Sequence, residues 1–113
     1  MKIDSYSFGR IVINGKTYTS DVIIYSNRVD AAWWRKEGHL LQLADVEDAL
    51  RAKPDVLVIG TGYAGVMRVP RETIGRIAAQ GIEVKVERTS NAVRVYNDLQ
   101  GTRTVIAALH ITC

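Results

Sequence analysis

A chain of 113 residues with a net charge of +3 is long enough for one domain and too weakly charged, with both signs spread along it, to point to nucleic acid. It is 47% apolar and 24% charged, ordinary for a globular protein, and at this length it buries roughly 65% of its unfolded surface, so its core needs no disulfide or metal. Cys113 is the single cysteine, the start Met1-Lys2-Ile3-Asp4-Ser5 has no secretory apolar run, and no stretch reaches the ~18 apolar residues of a membrane span. A soluble cytoplasmic protein without membrane contact is expected.

The first element is a hairpin. Ile11-Val12-Ile13 and Thr17-Tyr18 flank Asn14-Gly15, a pair that tolerates the positive φ angles of a type I′ turn. The incoming strand is expected from about Tyr6, with Gly9 as a bulge, and the outgoing strand is expected to run on through Val22-Ile23-Ile24-Tyr25. Ser26-Asn27 reads as a turn. In the segment 29–39, Trp33 and Trp34 are adjacent, so in an extended chain they face opposite sides: one core, one cover or interface. A short helix is predicted over 45–52, with Val46, Ala49 and Leu50 on one face, Asp45 as a cap, and Pro54 blocking continuation.

Val56-Leu57-Val58-Ile59 has no polar alternation and predicts a strand covered on both faces. It runs into Gly60-Thr61-Gly62-Tyr63-Ala64-Gly65, a G-x-G-x-x-G spacing. A helix is predicted over 70–80, with Pro70 in its first turn and Gly81 to end it. The strict alternation of 82–87 predicts a strand toward the sheet edge. A third helix is predicted over 90–99, capped by Thr89 or Ser90, with Ala92, Val93, Tyr96 and Leu99 inward. The apolar run within 104–111 predicts a central final strand. The fold class is therefore α/β: a single three-layer domain over residues 1–113, a mixed central sheet flanked by helices, with an N-terminal antiparallel β-hairpin.

Taken in order, Asn14-Gly15-Lys16, Trp33-Trp34-Arg35, Asp55 through Gly62, Val69-Pro70, Gly81-Ile82-Glu83-Val84, Tyr96-Asn97 and His110-Ile111-Thr112-Cys113 resemble one family. It is the family of small single-domain α/β proteins that includes a mammalian adipogenesis-associated protein and a mitochondrial complex I assembly factor. The resemblance covers nearly the full length. It implies a mixed sheet flanked by helices plus a small β element. It supplies no catalytic residue set, and the assembly role belongs to a mitochondrial relative.

The glycine loop is open to two readings. Glycines at this spacing let a backbone approach a phosphate, and Glu87 ends the next strand where a ribose-binding acid would sit. Against a dinucleotide, Val66-Met67-Arg68-Val69 intervene before Pro70 and hold the next helix away from such a phosphate. What remains is either a structural turn or a site for a small anionic ligand made by Gly60, Thr61, Gly62 and Tyr63, with Arg68 or Arg71 as anion partner. Asn97 either orients that ligand or is a capping or solvated residue. Strand alternation puts His110 and Thr112 on one face, Ile111 and Cys113 on the other, so a His110–Cys113 pair is not expected unless the chain end bends back. His39, His110 and Cys113 lack ligand spacing, so no metal site and no cofactor are expected. No catalytic residue is assigned.

Two function classes follow. The first is a non-catalytic interaction or assembly-accessory module that meets protein partners through the exposed member of Trp33 and Trp34, rimmed by Arg35. The second is an enzyme or sensor for a small anionic ligand at the glycine loop.

Overall fold

The computed structural model describes residues 1–113. Two successive hairpins start it. Strands β1 (Ile3–Ser7), β2 (Arg10–Ile13) and β3 (Lys16–Tyr18) form a small antiparallel sheet in that order. Between β2 and β3, Asn14 and Gly15 take φ angles of 49° and 78°, as the tight turn requires. Gly9 is part of the turn after β1, where Ser7 pairs with Arg10, and not a bulge; the irregularity in this pair falls between Ile3 and Ser5.

The outgoing strand of the hairpin does not run on. Strand β3 ends at Tyr18, and β4 (Val22–Ile24) belongs to a second, five-stranded sheet. Burial explains the break: β3 is at most half-buried, whereas Val22, Ile23 and Ile24 are buried on both faces and need a sheet covered on both sides. Strand β5 (Val29–Asp30) pairs antiparallel with β4. A 3₁₀ turn (Leu43–Val46) leads into helix α1 (Glu47–Arg51). Asp45 accepts the backbone N–H of Gln42 inside this turn, so its capping role falls at the third residue of the turn, two positions before α1.

Then come strand β6 (Val56–Thr61), helix α2 (Arg71–Ala78), strand β7 (Glu83–Glu87), helix α3 (Thr89–Leu99) and strand β8 (Val105–His110). The large sheet has the order β5-β4-β8-β6-β7, with β6 parallel to β7 and β8, and β8 antiparallel to β4. The wet strand β7 lies at the edge and the apolar β8 at the centre.

Two cores sit on the two faces of this sheet. Leu57 and Ile59 of β6 point to one, where Ala49, Leu50 and Ile77 of α1 and α2 join Trp33 and Leu41. Val56 and Val58, one residue out of phase, point to the other, where Ala92 and Tyr96 of α3 meet Ile3, Ile11 and Ile13 of the small sheet. The small sheet thus fills the part of the second layer that α3 leaves bare. No helix is long and apolar enough to cross a membrane.

Candidate functional site

The parallel strands β6 and β8 end side by side, with Thr61 paired to His110. This is the end of an α/β sheet where ligands bind. Two glycines shape it. A Cβ on Gly60 would stand 2.7 Å from Thr89 Oγ1 and 2.8 Å from Leu109 Cδ2. A Cβ on Gly62 would stand 2.5 Å from the Cys113 carbonyl carbon and oxygen and 2.8 Å from His110 Cδ2. Their small size is therefore used to pack the protein on itself. Thr89, at the start of α3, seals the contact: its hydroxyl accepts the Gly62 N–H at 2.9 Å and donates to the His110 carbonyl at 2.6 Å.

Behind His110 lies a buried ionic cluster. Asp21, in the break between β3 and β4, accepts at one oxygen from Arg35 Nη2 (2.9 Å) and His110 Nδ1 (2.8 Å), and at the other from the Ile111 N–H (2.8 Å). Arg35 Nε and Nη2 also donate to the Gly38 carbonyl at 3.0 and 2.8 Å. The two N–H bonds of Nη2 are then spent on Gly38 and Asp21. Its 3.1 Å approach to His110 Nδ1 is a meeting of two donors around one carboxylate oxygen. Burial works to raise the Asp21 carboxyl, but the hydrogen bonds from His110, Ile111 and Arg35 outweigh it and hold it below its ordinary value. Asp21 is thus an ionised acceptor at neutral pH, so the His110 Nδ1 is the donor of the pair. His110 Nε2 and Arg35 Nη1 are both buried without a hydrogen-bond partner.

Two further side chains meet the imidazole. The His39 ring stands edge-on to His110 with 5.7 Å between centroids, and Cys113 Sγ lies 3.9 Å from His39 Nε2. One ligand atom from each of His39, His110 and Cys113 falls within 4.8 Å of the other two. His110 and Cys113 come together because regular strand structure stops at His110 and the chain end bends back, the one condition under which the pair was expected. Beyond His110, the Thr112 carbonyl accepts from Tyr63 N–H (2.7 Å) and the Cys113 carbonyl from Val66 N–H (3.0 Å), which lays the segment along the glycine loop.

Tyr6 closes this end of the molecule, donating its hydroxyl to the Ile111 carbonyl at 2.9 Å. Burial, with the negative charge of Asp21 and then Tyr63 adding to it, pushes the Tyr6 phenol up to about 12. The folded state therefore holds a proton that the unfolded state gives up near pH 10. Stability is present below pH 10 and falls as pH rises from there toward 12. In urea unfolding at stepped alkaline pH, Tyr6→Phe should start slightly less stable, by about 1 kcal/mol for the lost hydrogen bond, and then decline less steeply. Parallel slopes for the two proteins would remove Tyr6 from the alkaline transition.

The structure disperses the other residues singled out above. Thr61 is buried, and Tyr63 is exposed and edge-packed on Phe8 at 6.0 Å. Arg68 is exposed and lines a shallow depression of about 540 Å³ with Glu37 and His39. Arg71 is exposed at the start of α2. Asn97 is neither at the loop nor a cap or solvated group: its amide pairs with both the N–H and the carbonyl of Ile3, at 2.9 and 2.8 Å, and ties α3 to β1. Arg35, expected on the rim of an exposed tryptophan, is buried in the ionic cluster. Asp21 was not singled out at all; an isolated Asp between Ser20 and Val22 carries no local signal.

The tryptophans divide as expected. Trp33 is 7% exposed, with its indole N–H on the Asp45 carbonyl at 2.9 Å and the Arg35 guanidinium 4.6 Å from its ring. Trp34 is 76% exposed. Both line a cleft of about 530 Å³ whose other apolar residues include Ile23 and Tyr25. Four carboxylates line it too, from Asp30, Asp45, Glu47 and Asp48, with Lys36 as the cation of the lining; Glu47 and Asp48 are also ion-paired to Arg51, which does not line the cleft.

A family model described as a protein of unknown function (DUF498/DUF598) matches residues 3–110. Among solved structures, the conserved hypothetical protein PH1505 from Pyrococcus horikoshii OT3 is 28% identical, with a TM-score of 0.84 and 100% of each chain covered. A Bordetella parapertussis protein is 26% identical with a TM-score of 0.82, covering 97% of this chain and 94% of its own. A protein described as an outer membrane protein from Bartonella henselae, 24% identical with a TM-score of 0.82, covers 98% of this chain and 94% of its own and shares the fold.

Proposed function

This chain belongs to the DUF498/DUF598 family of proteins of unknown function, and from that premise we propose that it is a non-catalytic interaction module with an accessory or assembly role. The observation that carries the reading is Trp34, a tryptophan 76% exposed on the rim of a cleft. Leaving so large an apolar side chain in water is unfavourable in isolation, and tryptophans of this kind anchor protein interfaces. The cleft's carboxylates stand out on a chain whose net charge is +3. The partner that fits is a protein segment with an apolar anchor flanked by lysine or arginine, which the acidic rim would orient.

The glycine-loop reading, a small anionic ligand held by Gly60 to Tyr63 with Arg68 or Arg71, has less to support it. The room beside Gly60 and Gly62 is taken by Thr89, Leu109, His110 and Cys113.

Trp34→Ala is the test. Its stability should stay within about 0.5 kcal/mol of wild type, because the side chain is exposed. Partners that a photo-crosslinking residue at Lys36, in the same cleft, captures from the native host should be lost from a pull-down with Trp34→Ala. They should weaken with Glu47→Lys/Asp48→Lys. Equal recovery of the same partners by all three proteins would sink the proposal.

A further inference from the structure

The Trp34 cleft leaves unused the cluster of His39, His110 and Cys113, with which it shares no lining residue. We propose that these three side chains bind a divalent transition-metal ion of the zinc class. Two imidazoles and a thiolate are the borderline-soft donor set that such ions select over magnesium or calcium.

Geometry supports this at three points. First, the donors converge. Bonds of ~2.0–2.1 Å to nitrogen and ~2.3 Å to sulfur in a tetrahedral site set donor atoms roughly 3.3–3.6 Å apart. The present separations are 3.9 Å for Cys113 Sγ to His39 Nε2 and at most 4.8 Å between one donor atom taken from each of the three residues. His39 and Cys113 are exposed and free to close that gap by side-chain rotation. Second, His110 is already oriented as metal-ligating histidines are. Its Nδ1 donates to the Asp21 carboxylate, the carboxylate–histidine arrangement that fixes the tautomer and raises the basicity of the other nitrogen. That other nitrogen, Nε2, is buried and unpartnered on a side chain only 6% exposed, an arrangement that costs free energy unless a ligand fills it. Third, the backbone is built to hold the set together. Arg35 grips the Gly38 carbonyl beside His39, and the Arg68 N–H donates to the His39 carbonyl at 2.9 Å. Gly62, lacking a Cβ, lets the Cys113 main chain and the His110 ring lie side by side.

Three protein donors leave a fourth position open. His39 also lines the depression of about 540 Å³ shared with Glu37 and Arg68, which gives a water or an exogenous ligand access to that position. Binding deprotonates the Cys113 thiol and releases its proton to solvent.

The test uses the whole chain without a histidine tag, stripped with chelator and kept reduced. Cobalt(II) serves as the coloured probe and zinc(II) as its competitor. One equivalent of cobalt should produce a thiolate-to-cobalt charge-transfer band with tetrahedral d–d bands, and zinc should erase both. Cys113→Ser should abolish the charge-transfer band. His39→Ala should weaken zinc binding by at least the ~10–100-fold seen for loss of a supporting residue. Both replaced side chains are exposed, so unchanged circular dichroism will show that the fold persists. No charge-transfer band at saturating cobalt, or zinc affinity equal in wild type and both variants, would overturn the proposal.

Discussion

Asp21→Ala should destabilise the protein by about 3–5 kcal/mol, the range for removing one partner of a buried charge pair. The side chain satisfies three donors, from Arg35, His110 and the Ile111 main chain, and all three lose their acceptor together. Arg35 suffers most, since its side chain is 5% exposed and cannot rehydrate without opening the 33–40 segment. Urea unfolding with a fitted midpoint and slope is the measurement. The double variant Asp21→Ala/Arg35→Met should recover part of the loss, because it removes the stranded charge as well as its partner. If the double variant is less stable than Asp21→Ala alone, Arg35 is held mainly by the Gly38 carbonyl and its stacking on Trp33, and the ion pair is secondary. Set against a total stability of about 5–15 kcal/mol for a domain, the expected loss leaves the single variant marginal.

Gly62→Ala is the second large effect, with an expected cost of about 2–4 kcal/mol. One part is the positive φ of +108°, a conformation that L side chains adopt at a cost of ~1–2 kcal/mol. The other is overpacking, ~1–3 kcal/mol, because the new methyl meets Cys113 main chain at 2.5 Å and main chain cannot swing aside as a side-chain tip can. Amide shifts should concentrate at 61–66 and 110–113. Gly75→Ala is the matched control. It lies inside α2 with nothing within 4 Å of a new Cβ, so the same chemical change there should gain about 0.5–1 kcal/mol. A Gly62→Ala cost clearly above the ~1–2 kcal/mol of the φ angle alone, with a gain at Gly75, would confirm that Gly62 serves a close approach. A Gly62→Ala cost below ~1 kcal/mol would mean that residues 111–113 yield easily and do not hold the cluster in place.

The elements legible in the sequence are those whose physics is local. Val56 to Ile59 announces a strand covered on both sides because no polar residue interrupts it, and β6 has neighbours on both edges and cores on both faces. Asn14-Gly15 announces its turn because the φ angles it adopts are open to few other pairs. Pro70 and the amphipathic spacing behind it announce α2. The alternation of 82–87 announces an edge strand. The elements that are not legible depend on contacts at a distance. Nothing within a few residues of Tyr18 says that the chain changes sheets before Val22. That switch follows from where Asp21 finds its donors and from the core that Val22 to Ile24 require. Arg35 beside two tryptophans looks like an interface residue until the position of Asp21 is known.

The sequence by itself determined the fold class, the order of most elements, the burial of one tryptophan and the exposure of the other, and the presence of a tight glycine loop. It could do so because strands, helices and turns answer to residues a few positions apart. The tertiary structure alone decided what packs against the glycine loop. Gly60 and Gly62 admit Thr89, Leu109, His110 and Cys113, residues remote in the chain. It alone joined Asp21, Arg35 and His110, and it alone set His39 and Cys113 beside a histidine with a free nitrogen. No spacing along the chain encodes those meetings, because the segments that carry them are brought together only when β8 is inserted between β4 and β6.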